Sequence, residues 1–599
     1  MKLTNRILCG LALSAALLLA QADPPGRVAR LSYVYGAASF RPGDVDDWAP
    51  VDFNRPLTTG DHVFVETSAT VELQIGSAAL RMNSASSLEF LNLDDSNVQL
   101  RLTGGSLIVR LRYLGDQDSF EVDTPNLAFS LLRTGEYRIE VKPDSATTLV
   151  TVRAGEGELT GPDQAFTVHA GEMAQVVGTD QPSYQTVGVP ARNDFDTWSL
   201  GRDQQDDQSP SARYVSRQLV GYQDLDQYGS WRTTPDYGAV WVPNGTPSGW
   251  APYHYGHWLW VDPWGWTWVD DAQWGFAPFH YGRWAYVSGY WGWVPGPIAE
   301  RPVYAPALVA WVGGGAIGGG VAWFALGPRE VYVPSYHVSP VYLNRINVTN
   351  TVVNVNVTNV NITNVTYVNR SAPGAVMAVQ QAAFASAKPV QSAAIVVRPE
   401  ALRAATVVAT AAVPPTRASV TMAPKPGARV VQPPASMKGR AVVAKRTPPP
   451  PPVPFAQKQQ ALTANGGRPL DTNQVQQIRK SQPAPAPAVR QVQARTPTAA
   501  PQPVAGQQPN RPAAQVPVPR TAPPAAAPST PAPAAKTLAP SPAARPQEAT
   551  PPPARAVPPA PAKPQAKPPA PEEKAAPPKQ AKPAPKKEED KKKEEDKKE

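Results

Sequence analysis

"FEVDTPNLAFSLLRTGEYRIEV" (residues 120–141) alternates apolar and polar side chains and is broken once, at "RTGE" (133–136). Tyr137, Ile139 and Val141 point one way with Arg138 and Glu140 between them, and a period of two is the mark of a strand with one buried face. The same period runs through Val71, Leu73 and Ile75, separated by Glu72 and Gln74, and through Leu107, Val109 and Leu111 around Arg110. Turn residues at "TGGS" (103–106) and "AGEGE" (154–158) predict strand ends there. Residues 28–178 carry no helical period, so an all-β domain of short strands at sandwich-like spacing is expected.

The order of these pieces resembles a known family. "LTTGDHVFVETSATVELQIGSAALRMNSASSLEF" (57–90), "VQLRLTGGSLIVRL" (98–111), the opening stretch, "VTVRAGEGEL" (150–159) and "VHAGEMAQV" (168–176) are similar to the periplasmic domain of FecR, the iron-citrate signal transducer. The resemblance implies a FecR-like β-sandwich of the kind that receives a signal from an outer-membrane receptor and relays it inward. With no cytoplasmic segment and no spanning helix ahead of it here, what it implies is an extracytoplasmic binding or interaction module without chemistry of its own.

Downstream, "GWAPYHYGHW" (249–258) returns as "GFAPFHYGRW" (275–284), and 14 of the 16 tryptophans fall between Trp231 and Trp323. Trp250 matches Phe276, Tyr253 matches Phe279, His254 matches His280, Tyr255 matches Tyr281 and Trp258 matches Trp284, and each copy is followed by "WGW" (264–266 and 291–293). Such a repeat is one supersecondary unit, here a hairpin, that buries its apolar face only against a neighbour. Gly256, Gly265, Gly282 and Gly292 are expected at its turns. Two uses of the rings stay open: a core built from aromatics, or an exposed row that stacks on a flat partner such as a sugar. The stacking candidates are Trp250, Tyr253, Tyr255, Trp258, Trp266, Phe276, Phe279, Tyr281, Trp284 and Trp293. His254, His257 and His280 are weak metal candidates, since no cysteine or spaced carboxylate completes a tetrahedral set. No metal and no cofactor is expected.

The glycine runs in "WVGGGAIGGGVAWFALGPREVYVP" (311–334) lack the Lys-Ser/Thr of a phosphate loop and read as a flexible connector. "NVTNTVVNVNVTNVNITNVTYVN" (347–369) has strand composition and is a candidate pairing edge. Taken with "YGAVWVP" (237–243), the two HYG(H/R)W units and "VAWFALGPREVYVPSY" (321–336), it resembles an uncharacterised family of bacterial exported proteins, a resemblance that brings no known activity.

Composition changes at residue 371. From there on lie 48 of the 72 prolines, and the only aromatics are Phe384 and Phe455, too few to offset the entropy of ordering a chain. Residues 1–370 carry 24 Lys and Arg against 36 Asp and Glu, whereas residues 371–599 carry 33 against 12. The overall pI of about 9.3 therefore describes the tail, and nucleic acid is not an expected partner, because that needs a basic patch on a folded face. At the other end, Lys2 and Arg6, the apolar run Ile7–Leu19 and the small-x-small step 20–22 read as an export signal. The single cysteine, Cys9, would leave with it.

The expected layout is a signal peptide (1–22), a FecR-like domain (28–178), a linker (179–227), an aromatic-rich hairpin repeat domain (228–300), a Gly- and Asn/Val-rich extension (301–370) and a disordered basic proline-rich tail (371–599). No catalytic set is visible: Asp94 and Asp95 sit in a turn, "NLDDSN", where solvation explains them. The expectation is a non-enzymatic, exported protein of the periplasm or cell surface that binds an envelope polysaccharide or another envelope protein. Its tail would be drawn to anionic polymers, to lipid headgroups and to the acidic folded half of its own molecule. The alternatives are a signalling component working with a separate membrane anti-sigma partner, and a structural surface-assembly protein.

Overall fold

In the computed structural model, which describes residues 22–498 apart from 314–316, 352–364, 423–427, 484–487, 494 and 496, the alternating stretch forms three strands, Ser119–Asp123, Ala128–Leu131 and Gly135–Lys142. Phe129, Tyr137, Ile139 and Val141 drop into one apolar core. The Tyr137 hydroxyl donates to the Arg133 carbonyl at 2.6 Å and accepts the Glu156 N–H at 3.1 Å, which pins the "RTGE" bend to the "AGEGE" bend. The domain is one 16-stranded, largely antiparallel sheet folded on itself, in keeping with the all-β expectation.

"TGGS" is not a turn. Residues Asn97–Leu111 run as one strand of 15 residues against the 16-residue strand Ala78–Leu93, with register shifts between Asn83 and Leu88. Gly105, at φ +86°, sits at this bulge, where a Cβ would meet Ser86 Oγ at 2.3 Å. Glycine inside a strand marks a bulge or a close approach as readily as a turn. "NLDDSN" does turn: Asp94 Oδ1 accepts the N–H groups of Ser96 and Asn97.

The expected linker carries structure. Strand Ser183–Gly188 extends the sheet, and helix Asp194–Asp207 follows, opened by a capping box in which Asn193 and Asp196 bond each other's backbone N–H groups. The helix lies on the outer face of the sheet through charge. Arg81 donates to Glu72 Oε2 at 2.7 Å and to Ser199 Oγ and Asp203 Oδ1 at 2.8 Å. Arg202 donates to Glu72 Oε1 at 2.6 Å, and Arg138 and Arg153 converge on Asp196 Oδ2 at 3.0 and 3.1 Å. Glu72 and Arg81 are fully buried.

Each copy of the decapeptide leads into a hairpin, Gly256–Val261 with Gly265–Asp270 and Arg283–Val287 with Tyr290–Val294. Gly265 makes its turn at φ +83°; Gly256 instead lies within a strand, where a Cβ would come within 2.7 Å of the Trp268 ring. The second hairpin joins Gly229–Thr234 and Gly238–Pro243 in a four-stranded sheet. The expected glycine-rich connector is a hairpin as well: Val309–Val312 pairs with Gly320–Ala325, setting Trp311 opposite Trp323. The Asn/Val extension begins in a helix, Pro340–Val348, capped by Ser339, and most of the remainder lies outside the described residues. So do the expected export signal, all but its last residue, and the chain from 499 onward.

The tail does not begin at 371. Met377–Gln380 and Val407–Val408 complete the sheet around Trp311 and Trp323, and Phe384 enters the aromatic core beside Trp258, Trp266, Trp311 and Trp323, at centroid distances of 4.3–6.2 Å. From 428 to 498 the chain runs back over the first domain as an arm that includes helices Phe455–Ala464 and Thr472–Ser481. A segment without a core of its own is ordered here by faces that others have built. Among the described residues no helix is long and apolar enough to cross a membrane.

Candidate binding site

The repeated rings are core. Tyr253, Trp258, Trp266, Phe276, Phe279, Tyr281, Trp284 and Trp293 are all buried, whereas Trp250 and Tyr255 are partly buried. A ring with no accessible face cannot stack on a ligand arriving from solution, so those eight are corrected from stacking candidates to packing residues. The reason for the repeat is visible in one contact: the matched residues Tyr253 and Phe279 meet edge to face at 4.8 Å, and the Tyr253 hydroxyl donates to the Phe279 carbonyl at 2.8 Å. Each copy is the other's missing neighbour. Four buried indole N–H groups are served by backbone carbonyls: Trp241 by Leu225 O, Trp293 by Tyr281 O, Trp323 by Tyr253 O, and Trp266 by Val413 O from beyond residue 371.

The three histidines do not converge. His254 Nδ1 lies 2.9 Å from Pro252 O, His257 Nε2 lies 3.6 Å from Asp52 Oδ2, and His280 Nδ1 donates to Ala305 O at 2.8 Å. Among the described residues no group of three or more His, Cys, Asp or Glu side chains is placed to hold a metal ion. Burial, with the nearby Arg30 charge, pushes fully buried His280 down to about 4. The unfolded chain takes up this proton near pH 6.5 and the folded chain only near 4, so stability present above 6.5 is lost as the pH falls through that window. In a series of thermal melts, Tm is expected to drop from pH 6.5 to 4, and His280→Gln to flatten that slope by about one proton.

What the structure brings together at the surface is the arm and the acidic first domain. Arg417 pairs with Asp47 at 2.6 Å, Arg429 with Glu66, Lys445 with Glu158 and Arg490 with Asp180. Backbone contacts reinforce the pairs: Val443 N–H donates to Thr124 O at 2.8 Å, and Glu121 Oε1 accepts the N–H groups of Lys445 and Arg446. At the junction of both domains with the arm, Lys458 bridges Asp44, at 2.9 Å, and Asp262. Here a cavity of about 230 Å³ is lined by all three. Beside it Asp61 is pushed up to about 6, burial outweighing the Arg55 charge and the N–H groups of Thr58 and Gly43. The attraction of the tail for the acidic half of its own molecule was legible as charge, but its path was not.

No curated protein matches the chain. Two solved structures of a putative anti-sigma factor from Parabacteroides distasonis ATCC 8503 align over 22% of this chain, at 14% identity and a TM-score of 0.20. The aligned region spans 60% of that protein's length, and a likeness of this size carries no argument about fold or role. No FecR family model matches residues 28–178. Residues 222–330, which hold the decapeptide repeat and the Trp311–Trp323 hairpin, match the model of DUF6600, a family of unknown function.

Proposed function

We propose that this chain is an exported, non-enzymatic protein of the bacterial cell envelope, a scaffold whose basic proline-rich arm binds anionic envelope polysaccharide. The observation that supports this reading is the set of ion pairs by which the arm lies on its own acidic domain. Arg417, just ahead of the arm, and Arg429 are more than half exposed, and Arg490 is 40% exposed, so each pair is weak and salt-screened. A dense polyanion offers the same chemistry at higher local charge and competes for the arm. The residues beyond 498, with 17 Lys and Arg against 10 Asp and Glu, add to that capacity. Carbohydrate stacking on the tryptophan-rich region is not part of the reading, because those rings are spent on packing.

Co-sedimentation of the full chain with an anionic cell-wall polysaccharide tests it. Binding is expected at low ionic strength and to fall about ten-fold or more between 50 and 500 mM NaCl, as screening shortens the reach of each charge. A chain in which Arg429, Lys445 and Arg490 of the arm are replaced by glutamine is expected to bind less at every salt concentration. Equal retention of the two chains would remove the arm from the mechanism.

A further inference from the structure

The junction cavity has a wall whose polar groups are unevenly served. Its apolar lining comes from Leu93 in the first domain, Trp260 and Trp264 in the second, and Val453, Leu462 and Leu470 in the arm. The acidic groups in the wall all have partners. Asp44 and Asp262 share the Lys458 ammonium, and Asp61 accepts the N–H groups of Thr58 at 2.8 Å and Gly43 at 2.9 Å. The arm's own Arg479 donates to Pro451 O at 3.2 Å.

The groups left over are cationic. Arg55 is 4% exposed, and its Nε and Nη1 have no hydrogen-bond acceptor; neither does buried Nη2 of Arg27 in the same wall. The Arg55 Cζ lies over the Phe40 ring, 4.4 Å from its centre, a contact that uses none of its N–H groups as hydrogen-bond donors. A buried charged donor without an acceptor is costly, and an anionic oxygen at those groups removes the cost. The remaining walls suit an apolar body. At roughly 30 Å³ per heavy atom, taking the liquid-water volume as a guide, the space holds about eight.

We propose that the junction cavity binds a small amphiphile of about eight heavy atoms in all, a short chain or ring headed by a carboxylate or phosphate, with the head at Arg55 and the body against Leu470 and Val475. Because a third of the lining residues belong to the arm, an occupant is gripped between arm and domains, and its binding holds the arm in place.

The test uses the full chain with three probes, hexanoate, butyl phosphate and hexanol, read by quenching of tryptophan fluorescence and by titration calorimetry. At least one of the two anions is expected to saturate a single site, and whichever binds tighter identifies the head group. Hexanol is expected to bind ten-fold or more weakly, since charge-assisted hydrogen bonds are lost. Arg55→Met should erase the preference for the anion, and Leu470→Trp, which fills the cavity, should abolish binding of all three. No saturable binding of either anion overturns the proposal, as does hexanol binding equally well or Leu470→Trp leaving the affinity unchanged. If Arg55→Met does not fold, the hexanol comparison and Leu470→Trp decide the matter alone.

Discussion

Trp258→Ala is expected to cost about 3–5 kcal/mol of folding stability, the range for deleting a buried large aromatic. Trp258 meets Trp268, Trp311, Trp323 and Phe384 at centroid distances of 4.6–5.7 Å, so its loss opens a hole shared by the first decapeptide hairpin, the glycine-rich hairpin and the segment after 371. Neighbours held by two separate sheets and a helix cannot all move inward to refill it, which places the cost toward the upper end. The urea midpoint of unfolding measures it, and Tyr35→Ala, at a site 66% exposed, should stay within about 0.5 kcal/mol. A shift for Trp258→Ala no larger than that of Tyr35→Ala would mean that the aromatic cluster does not bear the stability of the second domain.

Arg81→Met is the other large effect expected, again about 3–5 kcal/mol, because it strips a fully buried carboxylate of its fully buried partner. Burial alone would push Glu72 up; Arg81 and Arg202 together hold it down to about 2. A carboxyl depressed in this way contributes stability that is present above its unfolded value near 4.5 and is lost as the pH falls from there toward 2. Removing Arg81 should therefore both lower the midpoint at neutral pH and shrink the acid-side slope. Replacing Glu72 and Arg81 together by methionine should recover part of the loss, since paired apolar residues avoid the desolvation that the ion pair carries. The double variant falling as far as the sum of the singles would show the two side chains to be independent.

How much of this was readable from the residues depends on what each signal encodes. Alternation located the strands, and the run Val71, Leu73, Ile75 is buried as expected. Glu72 and Gln74, which the same alternation assigns to the opposite face, are buried too. Period two reports that a strand has an apolar side and does not report what covers the other. Here the cover is helix Asp194–Asp207, whose buried side carries Asp196, Ser199, Asp203 and Asp206 beside one phenylalanine. A helix that docks through ion pairs leaves no apolar stripe to find, and its one readable signal was the Asn193–Asp196 capping box. The arm was missed for a related reason. Few aromatics and many prolines do exclude an independent core, but Phe384, Phe455 and Leu462 join a core that residues 215–346 have already assembled. The decapeptide repeat was the most informative stretch for architecture and the least for ligand, since the rings that mark it are the ones consumed in packing.

The docking of the arm has a consequence for how the molecule looks to its surroundings at long range. Residues 22–498 hold 38 Lys and Arg and 38 Asp and Glu, so the acidic domains and the arm that crosses them cancel to a body with no formal net charge. The entire surplus of the chain belongs to residues 1–21 and 499–599. Beyond about 10 Å, the screening length at 0.1 M salt, that body offers neighbouring copies little mutual repulsion, and near-neutral proteins are the ones that associate and precipitate. Colloidal stability therefore rests on the last hundred residues. Proteolysis near 498 would move the isoelectric point from basic to near neutral.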